Sequence, residues 1–183
     1  MTNNPVYRGR IIFVSLVVMF ALPAIVAKTI LSQHWYQSGV TNKGELIEPR
    51  TSYENLGLVN PFQQKQWQLG YVIPEQCDAF CQQQVYLLGQ SHLALGKYQQ
   101  RVEPVLLVTE KSDVTALGQN DYQRVAINTA FSDVVEQFEF VIVDPLGQLV
   151  MRYPKVETQT ELVTQSKGLL ADLRKLLKLS RVG

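Results

Sequence analysis

Apolar residues dominate the start of this chain and then give way to shorter, punctuated runs. Between Arg10 and Lys28 lies Ile11–Ala27, seventeen residues without a charge. As a helix rising about 1.5 Å per residue this stretch spans roughly 26 Å. With Lys28 snorkelling and Thr29–Leu31 continuing the run it reaches about 30 Å, the thickness of a bilayer's hydrocarbon. Pro23 is tolerated in such a helix. Residues 11–31 are therefore expected to be a single-pass membrane anchor. The competing reading is a cleaved signal peptide. The apolar core is long for that class, and Ile25 and Ala27 make a poor small-x-small cleavage site.

Residues 32–62 are rich in turn formers, with Pro49, Pro61 and an Asn42-Lys43-Gly44 turn ahead of the apolar pair Leu46-Ile47. They read as a linker or ordered lead-in with room for one short strand. From Trp67 the pattern becomes regular. Trp67–Ile73 is aromatic and β-branched and stops at Pro74, the mark of a strand. Gln76–Leu95 carries Phe80, Val85, Leu87, Leu88 and Leu95 and ends before Gly96, the pattern of a helix with a C-terminal stop. Pro104–Thr109 is a continuous apolar run with the length of a buried central strand. In the less patterned stretch that follows, Tyr122–Ile127 fits a strand and Thr129–Glu136 a short helix.

Phe138–Asp144 and Gln148–Tyr153 read as strands joined by the Pro145-Leu146-Gly147 turn. Thr158-x-x-Glu161 is a capping box. It opens a helix with Leu162, Leu169, Leu170, Leu173, Leu176 and Leu177 on one face. Arg174, Lys175, Lys178 and Arg181 lie toward its end, where they complement the helix dipole. A helix crossing between two strands implies a parallel pair, and the tight hairpin an antiparallel one. The fold class expected is α/β: a thioredoxin-like mixed sheet flanked by helices over residues 63–183, preceded by one transmembrane helix.

Composition narrows the function. The chain has 183 residues, 46% hydrophobic and 18% charged, with a net charge of +1. That excludes a disordered protein and leaves no basic field for a nucleic-acid partner. Residues 1–31 hold Arg8, Arg10 and Lys28 and no acid. The positive-inside rule then makes residues 1–10 a cytoplasmic tail. Everything after residue 31 lies outside the cytoplasm, which in a bacterium with two membranes is the periplasm. Trp35 and Tyr36 fit either an interfacial aromatic belt or the start of the soluble core.

The chemistry is carried by Cys77 and Cys81 in the sequence CDAFC. They follow a strand and Pro74 directly, which places them in the first turns of the helix. Unpaired N–H groups and the positive dipole end favour a thiolate there. The i, i+4 spacing puts both sulfurs on one face, where they can form a disulfide or hold a soft ion such as Cu(I) in two-coordination. Catalytic and metal-binding roles both fall on these two residues, and both require sulfurs accessible at the mouth of the domain. A structural disulfide or a pair of inert thiols is the bland alternative. His92 lies too far along the helix to share an ion with Cys81, and His34 sits next to the membrane. Met151 reads as packing. Glu75 and Asp78 would raise a thiol pKa.

The anchor, the exported order of elements and C-x3-C at the first helix resemble the Sco/SenC proteins, membrane-anchored factors that assist copper insertion into cytochrome c oxidase. The pieces NKGELIEP (Asn42–Pro49), WQLGYVIPEQCDAFC (Trp67–Cys81) and ALGKYQQRVEPVLL (Ala94–Leu107) resemble small gammaproteobacterial membrane proteins associated with cytochrome oxidase genes. The resemblance implies the cysteine pair as site, Cu(I) as its metal, an oxidase subunit or assembly factor as partner, and the inner membrane as location. The family's copper-binding histidine does not carry over. Its place, counted back from Pro145, falls near Glu136, and no histidine follows His92. The expected function is an accessory factor for oxidase assembly, acting by thiol–disulfide exchange or Cu(I) handling. The alternative is a non-catalytic module that docks on the oxidase or its assembly factors. A broad oxidoreductase fits less well. The spacing is not C-x-x-C, and no proline between Pro104 and Pro145 can supply the cis-proline of ordinary thioredoxins.

Overall fold

A computed structural model of the chain describes residues 5–32, 42–62, 65–118 and 120–180. The chain divides into two compact units, Met1–Thr41 and Asn42–Gly183. In the first, helix α1 (Pro5–Ser32) takes in Arg8 and Arg10 and continues through Pro23. Its window Val6–Val26 is long and apolar enough to cross a membrane. Its apolar side chains are exposed around the helix, Met19 and Phe20 among them. An all-apolar surface of this kind suits hydrocarbon. His34, Trp35 and Tyr36 lie outside the described residues.

The second unit holds a six-stranded mixed sheet in the order β1-β6-β5-β2-β3-β4. Its strands are β1 (Glu45–Ser52), β2 (Trp67–Val72), β3 (Val102–Val108), β4 (Gln123–Ala126), β5 (Phe140–Val143) and β6 (Gln148–Tyr153). Strands β2, β3 and β4 run parallel, while β5 is antiparallel to β2 and β6 to β5. The parallel pair β2 and β3 is bridged by α2 (Ala79–Ala94), as the strand–helix–strand order requires. Pro104 does not break β3, because the pairing with β4 begins only at Val105.

Alternation along the strands builds two cores. Leu69, Tyr71 and Ile73 of the β2 segment, with Leu106, Phe140, Ile142 and Met151, face α2 and α4 (Gln159–Leu179). Val72, Val105, Leu107, Val141 and Val143 face the opposite way, where Tyr53, Phe62, Phe131 and Val135 close the second layer. Short α3 (Thr129–Ser132) supplies Phe131 to that layer. The capping box at Thr158 and Glu161 forms as its spacing dictates.

Three expectations are corrected. The lead-in over 32–62 holds the one strand it had room for, β1, but that edge strand runs for eight residues and pairs antiparallel to β6, so the sheet begins before residue 63. Only Ile47 of that strand points to the core and its register breaks between Leu46 and Thr51. Alternation was therefore absent from the sequence. The helix expected from Gln76 starts at Ala79, after the Asp78 cap. The strand expected from Phe138 starts at Phe140, because Phe138 takes a left-handed conformation with φ of 68°.

Lys43 and Gly44 are fastened to α4 by a buried carboxylate. Asp172, 3% exposed, accepts from the Lys43 N–H at 2.6 Å, the Gly44 N–H at 2.9 Å and the Tyr153 hydroxyl at 3.0 Å. Gly44 is required at this approach, since a Cβ there would lie 2.6 Å from the Tyr153 ring.

Candidate thiol–disulfide site

The chain leaves β2 at its C-terminal end and is gripped at once. The Ile73 N–H donates to the Leu107 carbonyl at 2.9 Å, and the Ser112 hydroxyl donates to the Ile73 carbonyl at 2.8 Å. Past Pro74, whose carbonyl accepts from the Asp113 N–H, the Cys77 N–H donates to Asp113 Oδ2 at 3.4 Å. Asp78 then caps α2, its side chain accepting from the Cys81 N–H at 2.9 Å.

Cys77 thus stands one residue before the cap and Cys81 three residues after it. The disulfide Cys77–Cys81 bridges the cap across a Cα–Cα distance of 5.1 Å. The sequence expectation placed both cysteines inside the helix with unpaired N–H groups beside them. Instead Cys77 lies outside it, and the amides of both cysteines are taken by aspartate carboxylates. The expectation of accessible sulfurs is corrected as well. Cys81 is fully buried and Cys77 keeps 6% of its surface. That remnant lies between Gln76 and Asp78, both exposed. The bridge is buried, and Cys77 is the less buried of its two residues.

The charges around the bridge are mostly negative. Hydrogen bonds from Thr115, from the Ala116 N–H and from the Cys77 N–H hold the Asp113 carboxyl below the usual carboxylate range. Glu75 and Lys111 form an exposed pair at 3.7 Å, which contributes little to stability. Behind the bridge, burial first and the Asp78 charge second push the Tyr71 hydroxyl far up, so it stays a neutral donor. It donates to Gln84 Oε1, and Gln84 Nε2 donates to the Phe138 carbonyl at 3.4 Å.

The segment before β5 forms the facing wall. The Glu75 N–H donates to Gln137 Oε1 at 3.3 Å. Pro74, Glu75, Gln76, Asp78, Gln137 and Phe138 together line a cleft of about 350 Å³. A second cleft of about 490 Å³ opens between Glu75, Thr109, Asn128 and Gln137 at the ends of the parallel strands.

Glu139, next in that wall, is 5% exposed. Burial first, helped by the nearby Glu136 and Glu45 charges, pushes its carboxyl up against the pull of the Glu136 N–H and Arg152. The folded state therefore prefers the protonated form. No cost is felt in acid, where the group is neutral in both states. The cost grows as pH rises through the ordinary carboxylate range, and it is fully present once pH exceeds the raised value. Glu139→Gln is expected to stabilise the protein at neutral pH, with the gain shrinking in acid, as read from urea midpoints at the two conditions.

Met151 packs in the core at 2% exposure. His92 lies in the last turn of α2, with its Nε2 3.1 Å from the Gln99 carbonyl, and takes no part in the site. Glu136, where a Sco-type histidine ligand would fall, is exposed. Among the described residues no group of three or more His, Cys, Asp and Glu could hold a metal ion. The donors near the bridge are two sulfurs, and only after reduction. They do not make the three-ligand site of a resident copper ion. Tyr71, Gln84, Asp113 and Phe138 were not singled out in the sequence. Asp78, three residues before Cys81, carried a readable cap signal.

Solved structures share this architecture at low identity. Apo Sco1 from Thermus thermophilus superposes with a TM-score of 0.50 at 11% identity, over 76% of this chain and 99% of that one. Arabidopsis thaliana ScoI with copper bound gives 0.43 at 13% identity, over 72% and 96%. Peroxiredoxin Q from Xanthomonas campestris gives 0.43 at 15% identity, over 63% and 82%. The first of these is a likeness of fold, and the fold is thioredoxin-like. No curated protein matches the sequence. The model of the family described as "Transmembrane-like, thioredoxin-like, C-terminal domain" matches residues 67–180, more than half of the chain, and the chain belongs to that family.

Proposed function

We propose that this chain is a membrane-anchored thiol–disulfide exchange factor. Arg8 and Arg10 lie on the cytoplasmic side and the sheet domain lies in the periplasm. The observation that carries the reading is the Cys77–Cys81 bridge across the cap of α2, buried but with Cys77 flanked by the exposed Gln76 and Asp78. A purely structural role suits it poorly. A ring closed over a sequence separation of 4 removes only about 2 kcal/mol of unfolded-chain entropy. It also ties no distant elements together.

The exchange runs in two balanced steps. In the reduced protein the Cys77 thiol gives up its proton and the thiolate attacks one sulfur of a client disulfide. The client S–S bond breaks, its other sulfur leaves as a thiolate and takes up a proton, and a mixed disulfide forms. The Cys81 thiolate, its proton lost to solvent, then attacks Cys77. That step re-forms the Cys77–Cys81 bond and releases the second client sulfur as a thiol. Two electrons and two protons pass to the client, and a dithiol donor outside the cytoplasm restores the pair. The client we propose is the set of cysteine ligands at the copper centre of a membrane-bound oxidase. The anchor raises the local concentration of the domain near such a client. Copper is left out of these steps, which need only the two sulfurs; the reduced pair offers a soft ion two-coordination at most.

A redox titration of the full chain in thiol–disulfide buffers tests the reading. A potential above roughly −300 mV is expected of an exchanging pair. A markedly lower potential belongs to a structural bridge and would contradict the proposal.

A further inference from the structure

Helix α2 turns Cys81, Gln84, Val85, Leu88 and Ser91 into the protein. Gln84 is fully buried in that stripe, one turn after Cys81 and against β2. A leucine would be the ordinary choice for such a position, because a buried amide loses its hydration unless both of its ends are bonded. Both ends are. The carbonyl oxygen accepts from the Tyr71 hydroxyl, itself fully buried, and the amide nitrogen donates to the Phe138 carbonyl at 3.4 Å.

The partner at the second end is unusual. Phe138 is the one non-glycine with positive φ among the described residues, at 68°. A residue with a Cβ holds that conformation only when its surroundings impose it. Here its N–H donates to the Val72 carbonyl at 3.0 Å and its carbonyl is taken by Gln84. Lys155 Nζ lies 4.6 Å from its ring centroid. The left-handed turn is what brings Gln137 and Phe138 to the cleft that they share with Gln76 and Asp78, the two neighbours of Cys77. One helix therefore carries both the inner sulfur and the prop of the facing wall.

We propose that Gln84, oriented by Tyr71, is a positioning residue. It holds the Phe138 peptide in its left-handed turn, and so sets the wall against which the polypeptide of a client lies while its sulfur meets Cys77. This rests on the exchange reading above and adds that the client is engaged as a peptide segment along the Gln137–Phe138 wall. A small disulfide does not need that wall.

The test uses the reduced full chain in detergent and two probes, a synthetic peptide with one internal disulfide and hydroxyethyl disulfide. For Gln84→Leu, kcat/KM on the peptide is expected to fall by roughly tenfold to a hundredfold, the cost of a misplaced reactant. Activity on hydroxyethyl disulfide and the reduction potential are expected to hold. In a Phe138→Gly background, Gln84→Leu is expected to cost nothing further, because it acts through that residue. Tyr71→Phe, which removes one oxygen, carries the same expectation should Gln84→Leu not fold. Equal losses on both probes would assign Gln84 a merely structural role and overturn the proposal. So would an unchanged peptide rate, or a loss that persists in the Phe138→Gly background. A wild-type protein inert toward both probes would bring down the exchange reading itself.

Discussion

Replacing Cys77 and Cys81 together with serine is expected to abolish disulfide reduction while leaving the fold standing. The bridge closes so short a ring that its removal costs about 2 kcal/mol, a modest part of the roughly 5–15 kcal/mol that holds a domain together. The hydrogen bonds that shape the site do not use the sulfurs. Ser112 still holds the Ile73 carbonyl, and Asp78 still caps α2. The single variants separate the two steps. Cys77→Ser removes the attacking sulfur and is expected to be as inactive as the double variant. Cys81→Ser keeps the attack and loses the release, so it is expected to stall on its client. In cells, the double variant is expected to lower the activity and copper content of the terminal oxidase. Oxidase activity at the wild-type level would favour the other reading, a docking module whose cysteines are a local staple.

The second large effect concerns stability and the carboxylate that fastens Lys43 and Gly44 to α4. Asp172→Ala is expected to destabilise the protein by roughly 2–5 kcal/mol. Its carboxylate is the acceptor for the Gly44 N–H and the Tyr153 hydroxyl, both buried, as well as for the Lys43 N–H. Each buried donor left without a partner costs about 1–3 kcal/mol. The Tyr153 hydroxyl cannot escape the penalty by ionising, because burial, the main cause of its raised pKa, remains in the variant. Asp172→Asn retains one acceptor oxygen and is expected to lose less. Urea unfolding followed by circular dichroism gives both values. A change within about 0.5 kcal/mol for the alanine variant, the range of ordinary surface substitutions, would contradict this assignment.

What could be read from the sequence follows from where the signals are local. Trp67–Val72, the Pro145-Leu146-Gly147 turn and the Thr158–Glu161 box depend on neighbours a few residues away, and they formed as expected. The cysteine pair was legible for the same reason. Strand β1 was legible only as room for a short strand at Leu46-Ile47, because an edge strand that buries only Ile47 shows no alternation. Gln84 stands in a run of three glutamines, Gln82–Gln84, with nothing local to say which one is buried. Its burial is decided by which face α2 turns to β2. Nothing in a phenylalanine announces a left-handed residue, so Phe138 read as the start of a strand. Asp113 meets Cys77 across a sequence separation of 36, beyond the reach of any spacing rule.

The most direct measurement is mass spectrometry of the Cys81→Ser full chain after reaction with the disulfide peptide. A covalent adduct of one peptide per chain, held through Cys77 and released by a reducing agent, is the result expected of an exchange site. If Cys77 remains a free thiol while the peptide disulfide stays intact, the bridge is a staple and the exchange function is wrong.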